Sequence, residues 1–336
     1  MTASPSHIVV IGASAGGVTA LIEISEALPR FFAAPVCIVQ HIGSNPSLLP
    51  ELLRLRGPNH AVHVEDGQRL TSGTLHIAPP DRHVLLEGDV LRLTQGPKEN
   101  HARPAIDPLF RTAALSAGPR VIGVILTGQM DDGTAGLKAV KDCGGLAIVQ
   151  DPETAIEPEM PRSALAAVSP DHCVPLAEIG ALLQRLVGTR TPPVQAPVPQ
   201  EVVREVAING GDISMDNLAA IAEPSPLTCP DCGGGLWEIK DSRPLRYRCH
   251  TGHAYGAISL HRAQQENTEH ALWSSVRALR ERELLLRRVA TMAQATGDEA
   301  QAAAGLAQAE RLREQIRTVK AMAETTPPDA EVDAAP

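Results

Sequence analysis

Five short apolar runs constrain this chain more than anything else in it. Residues 8–11, 36–40, 74–78, 121–126 and 146–150 are strand-like, and several are continuous runs rich in Val, Ile and Leu. A strand with one wet face alternates apolar and polar side chains. A continuous apolar run belongs to a strand covered on both faces, as in a parallel sheet between two helical layers. Helical spacing fills the gaps: Val18, Leu21, Ile22 and Leu28 mark one helix, and residues 134–141 another. The rhythm predicts an α/β fold with a doubly wound, mainly parallel, Rossmann-like sheet over residues 1–188. Residues 73–92 read as a hairpin or antiparallel edge. With aromatics at 2% and apolar residues at 43%, aliphatic side chains must fill this core.

Beyond it the texture changes. "GTRTPPVQAPVPQ" opens a proline-rich linker, expected over 189–226. A compact Cys/His segment follows at 227–256. Then two apolar stripes, Leu272/Val276/Leu279/Leu286/Val289 and Leu306/Ala309/Leu312/Ile316/Val319, flank "ATGDEA" and predict a helical hairpin over 257–324. Residues 325–336 read as a disordered tail.

The net charge of −9 argues against a general nucleic-acid binder, which carries a basic face, and leaves room for a local basic patch. No apolar run approaches the ~20 residues that cross a bilayer, and no Lys or Arg precedes the first apolar run as a secretory signal requires. A cytoplasmic protein with no membrane insertion is expected.

"HIVVIGASAGGVTAL" (residues 7–21) is a strand, a glycine turn and a helix start. It departs from the dinucleotide fingerprint, because Ser14 stands at the second glycine and the second strand ends in Gln40-His41 with no carboxylate for a ribose. Gly12 to Gly16 instead fit G-x-S-x-G, a serine on a strained strand-to-helix turn, with the Ala15 N–H placed to stabilise an oxyanion. A nucleophilic serine needs a base and the base an orienting acid. His41 follows the second strand, and Asp131-Asp132 follow a later one, so Ser14, His41 and Asp132 lie at strand ends that converge on one sheet edge. His60, His63, His76, His83 and His101 are expected at the surface, and His172 in a loop.

These motifs resemble the catalytic domain of chemotaxis protein-glutamate methylesterases (CheB-type), over about residues 6–188. "IGASAGG", "VQHIGS" and "ILTGQMDDGTAG" match the family's serine, histidine and aspartate segments. "IAPPDRHVLL", "RPAIDPLFRTAA" and "QDPETAIEPEMPRSA" support them. The resemblance implies Ser14 as nucleophile, His41 as general base and acid, and Asp132 as orienting carboxylate. It implies hydrolysis of glutamyl methyl esters on cytoplasmic helices of methyl-accepting chemotaxis receptors, with glutamine deamidation as a side activity and no catalytic cofactor. Receptors and other chemosensory signalling proteins are then the partners. The family's usual receiver domain has no counterpart in these 336 residues, so activity independent of aspartyl phosphorylation is expected. Two departures stand out. The family's T-G-M-G is Thr127-Gly128-Gln129-Met130, where Met130 is expected to change the backbone of a loop that donates an oxyanion N–H. Pro158-Glu159 replace an apolar residue and glycine. A second reading therefore keeps the fold as a weakly active or non-catalytic regulatory binding module.

"CPDCGGGLWEIKDSRPLRYRCHTGH" gives Cys229-x2-Cys232 and Cys249-x3-His253, spacing that suits a structural, tetrahedral Zn²⁺. His250 is the alternative fourth ligand, but its adjacency to Cys249 makes simultaneous ligation awkward. Arg243, Arg246 and Arg248 are offset by Asp231, Glu238 and Asp241, so the ribbon is not expected to bind nucleic acid. Ribbon and hairpin together are expected to form a docking or oligomerisation module.

Overall fold

The computed structural model describes residues 5–42, 46–189, 198–212, 214–240 and 242–325. Its first elements are β1 (Ile8–Ala13), α1 (Gly17–Ala27), β2 (Val36–Gln40), α2 (Leu49–Arg56), β3 (His60–His63) and β4 (Thr74–Ile77). Next come β5 (His83–Glu87), β6 (Val90–Thr94), α3 (Ile106–Ala117), β7 (Val121–Ile125), α4 (Thr134–Asp142) and β8 (Leu146–Gln150). Then follow α5 (Glu159–Ala167), β9 (His172–Val174) and α6 (Leu176–Thr189).

Seven strands form one sheet in the order β3-β4-β2-β1-β7-β8-β9, and every pairing is parallel. Period-two alternation sends the apolar side chains of β1 to opposite faces. Ile8 and Val10 pack with Phe110 of α3, Leu137 of α4 and Met160 of α5. Val9 and Ile11 pack with Leu21 of α1, Leu53 of α2 and Leu183 of α6. Both faces are dry, as the continuous apolar runs require. From β1 the chain winds outward through β2, then returns to β7 on the other side. The strand order therefore reverses between β1 and β7, and the carboxyl ends there open the crevice where such sheets bind ligands.

Residues 73–92 do not behave as one hairpin. Thr74–Ile77 joins the parallel sheet, and only β5 and β6 pair antiparallel. Val84, Leu86 and Leu91 turn that hairpin's apolar side onto the α3 face of the core. This placement buries two histidines expected at the surface, His76 and His83. Burial lowers the His76 pKa to about 4. His83 accepts from the Ala105 N–H and donates to the Pro97 carbonyl, serving as a neutral strut. His172 lies in strand β9, not a loop.

The proline-rich stretch 190–197 and residues 326–336 of the tail lie outside the described residues. The rest of the expected linker contains α7 (Gln200–Asn209) and α8 (Met215–Ile221). Val202 of α7 enters the core beside α3. An antiparallel sheet follows, β10 (Ala222–Thr228), β11 (Gly235–Ile239), β12 (Arg246–Cys249) and β13 (Ala254–Gly256), in sequence order. It leads directly into α9 (Ala257–Ala295), and α10 (Glu299–Glu324) completes the chain.

Two compact units divide after Leu260. The Cys/His sheet belongs to the first, with the parallel sheet. In the second, α9 and α10 pack against each other along an alanine-rich seam. Val276, Ala290 and Ala293 are buried on α9, and Ala302, Ala309, Leu312, Ile316 and Ala323 on α10. Val289 and Leu306, assigned to the stripes, stand 41% and 45% exposed. Small seam residues bring the helices too close for a wide leucine stripe: a Cβ on Gly305 would lie 3.1 Å from that of Ala290. No described helix is long and apolar enough to cross a membrane.

Candidate active site

Ser14 follows β1 immediately, in the turn that starts α1. Its N–H donates to the Thr127 carbonyl at 3.0 Å, tying the turn to the loop after β7. The left-handed residue of this turn is Gly16, with φ 76°, and not Ser14. Gly128 explains the close approach of the two loops, because a Cβ there would lie 2.8 Å from the Ser14 Cβ.

His41 follows β2, and its N–H donates to the Ala13 carbonyl at 3.1 Å. The Gln40 amide clamps both turns by donating to the carbonyls of Ser14 and His41. The His41 Nδ1 lies 3.2 Å from Ser14 Oγ, and Nε2 lies 2.7 Å from Asp132 Oδ2. An ionised Asp132 accepts only, so it fixes the proton on Nε2 and leaves the Nδ1 lone pair facing the serine. The three residues singled out from sequence thus meet in one hydrogen-bonded line at the switch point.

Asp132 is 2% exposed and heavily bonded. Oδ2 accepts from the Ile106 N–H at 2.7 Å, and Oδ1 from the N–H groups of Gly133 and Asp107 and from the Asn100 amide. Burial pushes this carboxyl up, but the hydrogen bond and charge of His41, with the Ile106 and Asn100 donors, hold it below the usual carboxylate range. Ile106 and Asp107 open α3, so the helix N-terminus also faces the anion.

Two neighbouring carboxyls titrate the other way. Burial, then the Asp132 charge, raises Asp107 to about 7. Burial raises Asp131 to about 6 against donors from residues 258 and 259. Asp132 is therefore the acid of this trio that stays charged most readily.

Met130 retains the backbone conformation that glycine favours. Its φ is 64°. Its N–H donates to Glu159 Oε2 at 2.6 Å, and its carbonyl accepts from the Ser163 hydroxyl at 3.0 Å. The two departures from the family pattern, Met130 and Glu159, are thus bonded to each other. Residues of α5 hold the Met130 backbone from both sides. Its N–H is occupied, whereas those of Ala15 and Gln129 have no partner among the described residues.

A profile of the CheB methylesterase family matches residues 9–183, just over half of the chain. The chain belongs to that family. A Leptospira interrogans protein named for protein-glutamate methylesterase and protein-glutamine glutaminase activity is 42% identical over 184 residues, 53% of this chain and 93% of the relative. A protein-glutamate methylesterase/protein-glutamine glutaminase of Anaeromyxobacter dehalogenans is 38% identical over 181 residues, and the methylesterase FrzG of Myxococcus xanthus 36% over 185. The chain spans about half the length of each of these two, 53% and 55%. The CheB methylesterase catalytic domain of Thermotoga maritima superposes with a TM-score of 0.52 at 34% identity, covering 55% of this chain and 100% of that one. The CheB family match thus accounts for the parallel sheet and ends well before the Cys/His segment.

That segment gathers Cys229, Cys232, Cys249 and His253, whose donor atoms all lie within 4.8 Å of one another. The Cys232 and Cys249 sulfurs are 3.8 Å apart. A tetrahedral site with Zn–S bonds of about 2.3 Å has S–S edges of roughly 3.8 Å. Three thiols and an imidazole at this separation fit a metal ion, with His253 and not His250 closing the set.

Sequence reasoning on this CheB-family chain missed how the segment sits. Arg246 pairs with Glu201 and Glu205 of α7, and Arg248, 2% exposed, with Glu99. Arg111 of α3 pairs with Glu99 and Glu205 in the same buried cluster. Of the three arginines of this segment, Arg246 and Arg248 are turned inward onto the α/β fold, and Arg243 stays exposed. Asn100 was also missed. Asn is unusually tolerant of φ > 0, and "ENHA" at residues 99–102 was the available signal.

Proposed function

We propose that this chain is a serine hydrolase of glutamyl methyl esters on methyl-accepting chemotaxis receptors, and that it also deamidates receptor glutamines. The hydrogen-bonded line Ser14–His41–Asp132 carries this reading. Ser14 Oγ attacks the ester carbonyl carbon as His41 Nδ1 takes its proton. The carbonyl oxygen becomes an oxyanion, for which the N–H groups of Ala15 and Gln129, without a partner among the described residues, are the donors in this reading. Collapse expels methoxide, which takes the proton from Nδ1 and leaves as methanol. A water then loses a proton to Nδ1 and attacks the acyl-enzyme. The products are a glutamate carboxylate and restored Ser14. With a glutamine substrate the first leaving group is ammonia. Asp132 stays ionised throughout, holding the ring and stabilising its imidazolium form.

In this reading Cys229, Cys232, Cys249 and His253 hold a structural Zn²⁺, a closed shell that adds folding energy to a small sheet and takes no part in the reaction. Residues 1–188 form the esterase domain, 227–256 the ribbon and 257–324 the hairpin. Receptors with cytoplasmic methylation helices place the enzyme in the cytoplasm. The test is methanol release from carboxyl-methylated receptor fragments. Release by the intact chain and a loss of at least 10³-fold in Ser14→Ala are expected. Equal release by both proteins, or none from either, favours the regulatory binding module instead.

A further inference from the structure

Residues 99–102 form a tight turn in which the N–H of Glu99 bonds the carbonyl of Ala102 and the reverse. Its central residues Asn100 and His101 both have positive φ, 49° and 62°. A turn of this kind puts both central residues in the left-handed region, at a cost that only surrounding contacts sustain. The Cys/His sheet supplies those contacts. The Asn100 N–H donates to the Ala254 carbonyl of β13 at 2.7 Å, and the Ala254 N–H donates to Lys98. Arg248 of β12 pairs with Glu99 at 2.9 Å.

The buried Asn100 side chain is sorted by partner type. Its Oδ1 accepts from the Gly256 N–H at 2.8 Å and from the Ser259 hydroxyl at 2.9 Å. Its Nδ2 donates to Asp132 Oδ1 at 2.8 Å and Asp107 Oδ2 at 3.0 Å. A backbone N–H cannot become an acceptor, so Gly256 fixes which end of the amide faces the carboxylates. Flipping the amide would aim its oxygen at two carboxyl groups. Beside it, Asp131 accepts from the N–H groups of Ile258 and Ser259 in the first turn of α9. A Cβ on Gly256 would overlap the Asp131 carboxylate, which shows how closely the pieces fit.

We propose that Asn100 is a positioning residue for Asp132 and His41, and that Gly256 and Ser259 hold its amide in the donating orientation. The end of the Cys/His sheet and the start of α9 then form part of the supporting shell of the active site, although they lie outside the family match. Such second-tier hydrogen bonds set the orientation of the groups that touch substrate. This inference rests on the esterase reading for its kinetic arm only.

The test uses the full chain with Asn100→Gly, because glycine adopts the left-handed turn freely and only the amide is lost. His101→Gly relaxes the same turn without touching Asp132 and serves as the control. In Asn100→Gly, kcat for methanol release should fall at least 10-fold with KM within twofold. The acid limb of the kcat/KM profile should move to higher pH, because an Asp132 with one donor fewer stabilises the His41 imidazolium better. Ser259→Ala should lower kcat two- to threefold in the same direction. The low-field proton resonance of the His41–Asp132 hydrogen bond should shift in Asn100→Gly and not in His101→Gly. That arm needs no turnover, so it separates this inference from the esterase reading. Wild-type kcat and an unmoved resonance in Asn100→Gly overturn the proposal, as do equal losses in Asn100→Gly and His101→Gly.

Discussion

Met130 departs from the family pattern yet keeps the left-handed backbone that glycine favours. A non-glycine residue in the left-handed region costs about 1–2 kcal/mol. Here the Glu159 carboxylate and the Ser163 hydroxyl grip its two backbone groups. Comparing Met130→Gly with Met130→Ala isolates the backbone cost from the lost side chain. The glycine variant should be the more stable by about 1 kcal/mol in denaturant unfolding. Glu159→Ala should loosen the loop and lower kcat with little change in KM. Asp107 makes a separate prediction. Its carboxyl is raised to about 7 in the folded protein, so the folded state holds a proton that the unfolded chain has released. Between the ordinary Asp value and pH 7 this makes stability fall as pH rises. His76, lowered to about 4, works in the opposite direction between that value and the ordinary histidine value. The informative quantity is therefore a difference. From pH 5 to pH 8 the wild type should lose more stability than Asp107→Asn, as read from paired unfolding curves.

At the scale of elements, the strands and their carboxyl-end residues were legible because both rest on local pattern. Unbroken apolar runs state that a strand is covered on two faces, and glycine turns state where it stops. His41 could be placed because it follows such a run directly, and Asp132 because it lies in the short loop after one. Where the chain packs at long range, the pattern was silent. His76 and His83 look like surface residues until β4 and the β5–β6 hairpin are placed. Helices α7 and α8 were hidden beside a proline-rich stretch. Arg248 reads as a surface charge, yet it is buried against Glu99, which it and Arg111 hold well below the usual carboxylate range despite burial. Removing one partner from a buried charge cluster costs about 3–5 kcal/mol. Arg248→Ala should therefore destabilise the first compact unit by at least ~3 kcal/mol on denaturation, whereas changing the exposed pair partner Arg317 should cost under ~0.5 kcal/mol. If the four Cys/His donors hold a metal, chelation should lower the melting temperature of the whole first unit, because β12 and β13 are bonded to residues 98–100.

At the scale of the molecule, a doubly wound sheet brings three chain-distant residues to its switch point, and a second sheet braces the loop behind them. The family match covers the first sheet only, which is why the bracing was invisible in motif form: Asn100 and Gly256 are 156 residues apart. The central claim is that Ser14 is a nucleophile activated by His41 and held by Asp132. Covalent labelling by a fluorophosphonate, followed by peptide mass spectrometry, tests it without a known substrate. The account predicts modification of Ser14 in the intact chain and labelling at least 100-fold slower in His41→Ala. A folded wild type that stays unlabelled, or undiminished labelling in His41→Ala, would contradict it.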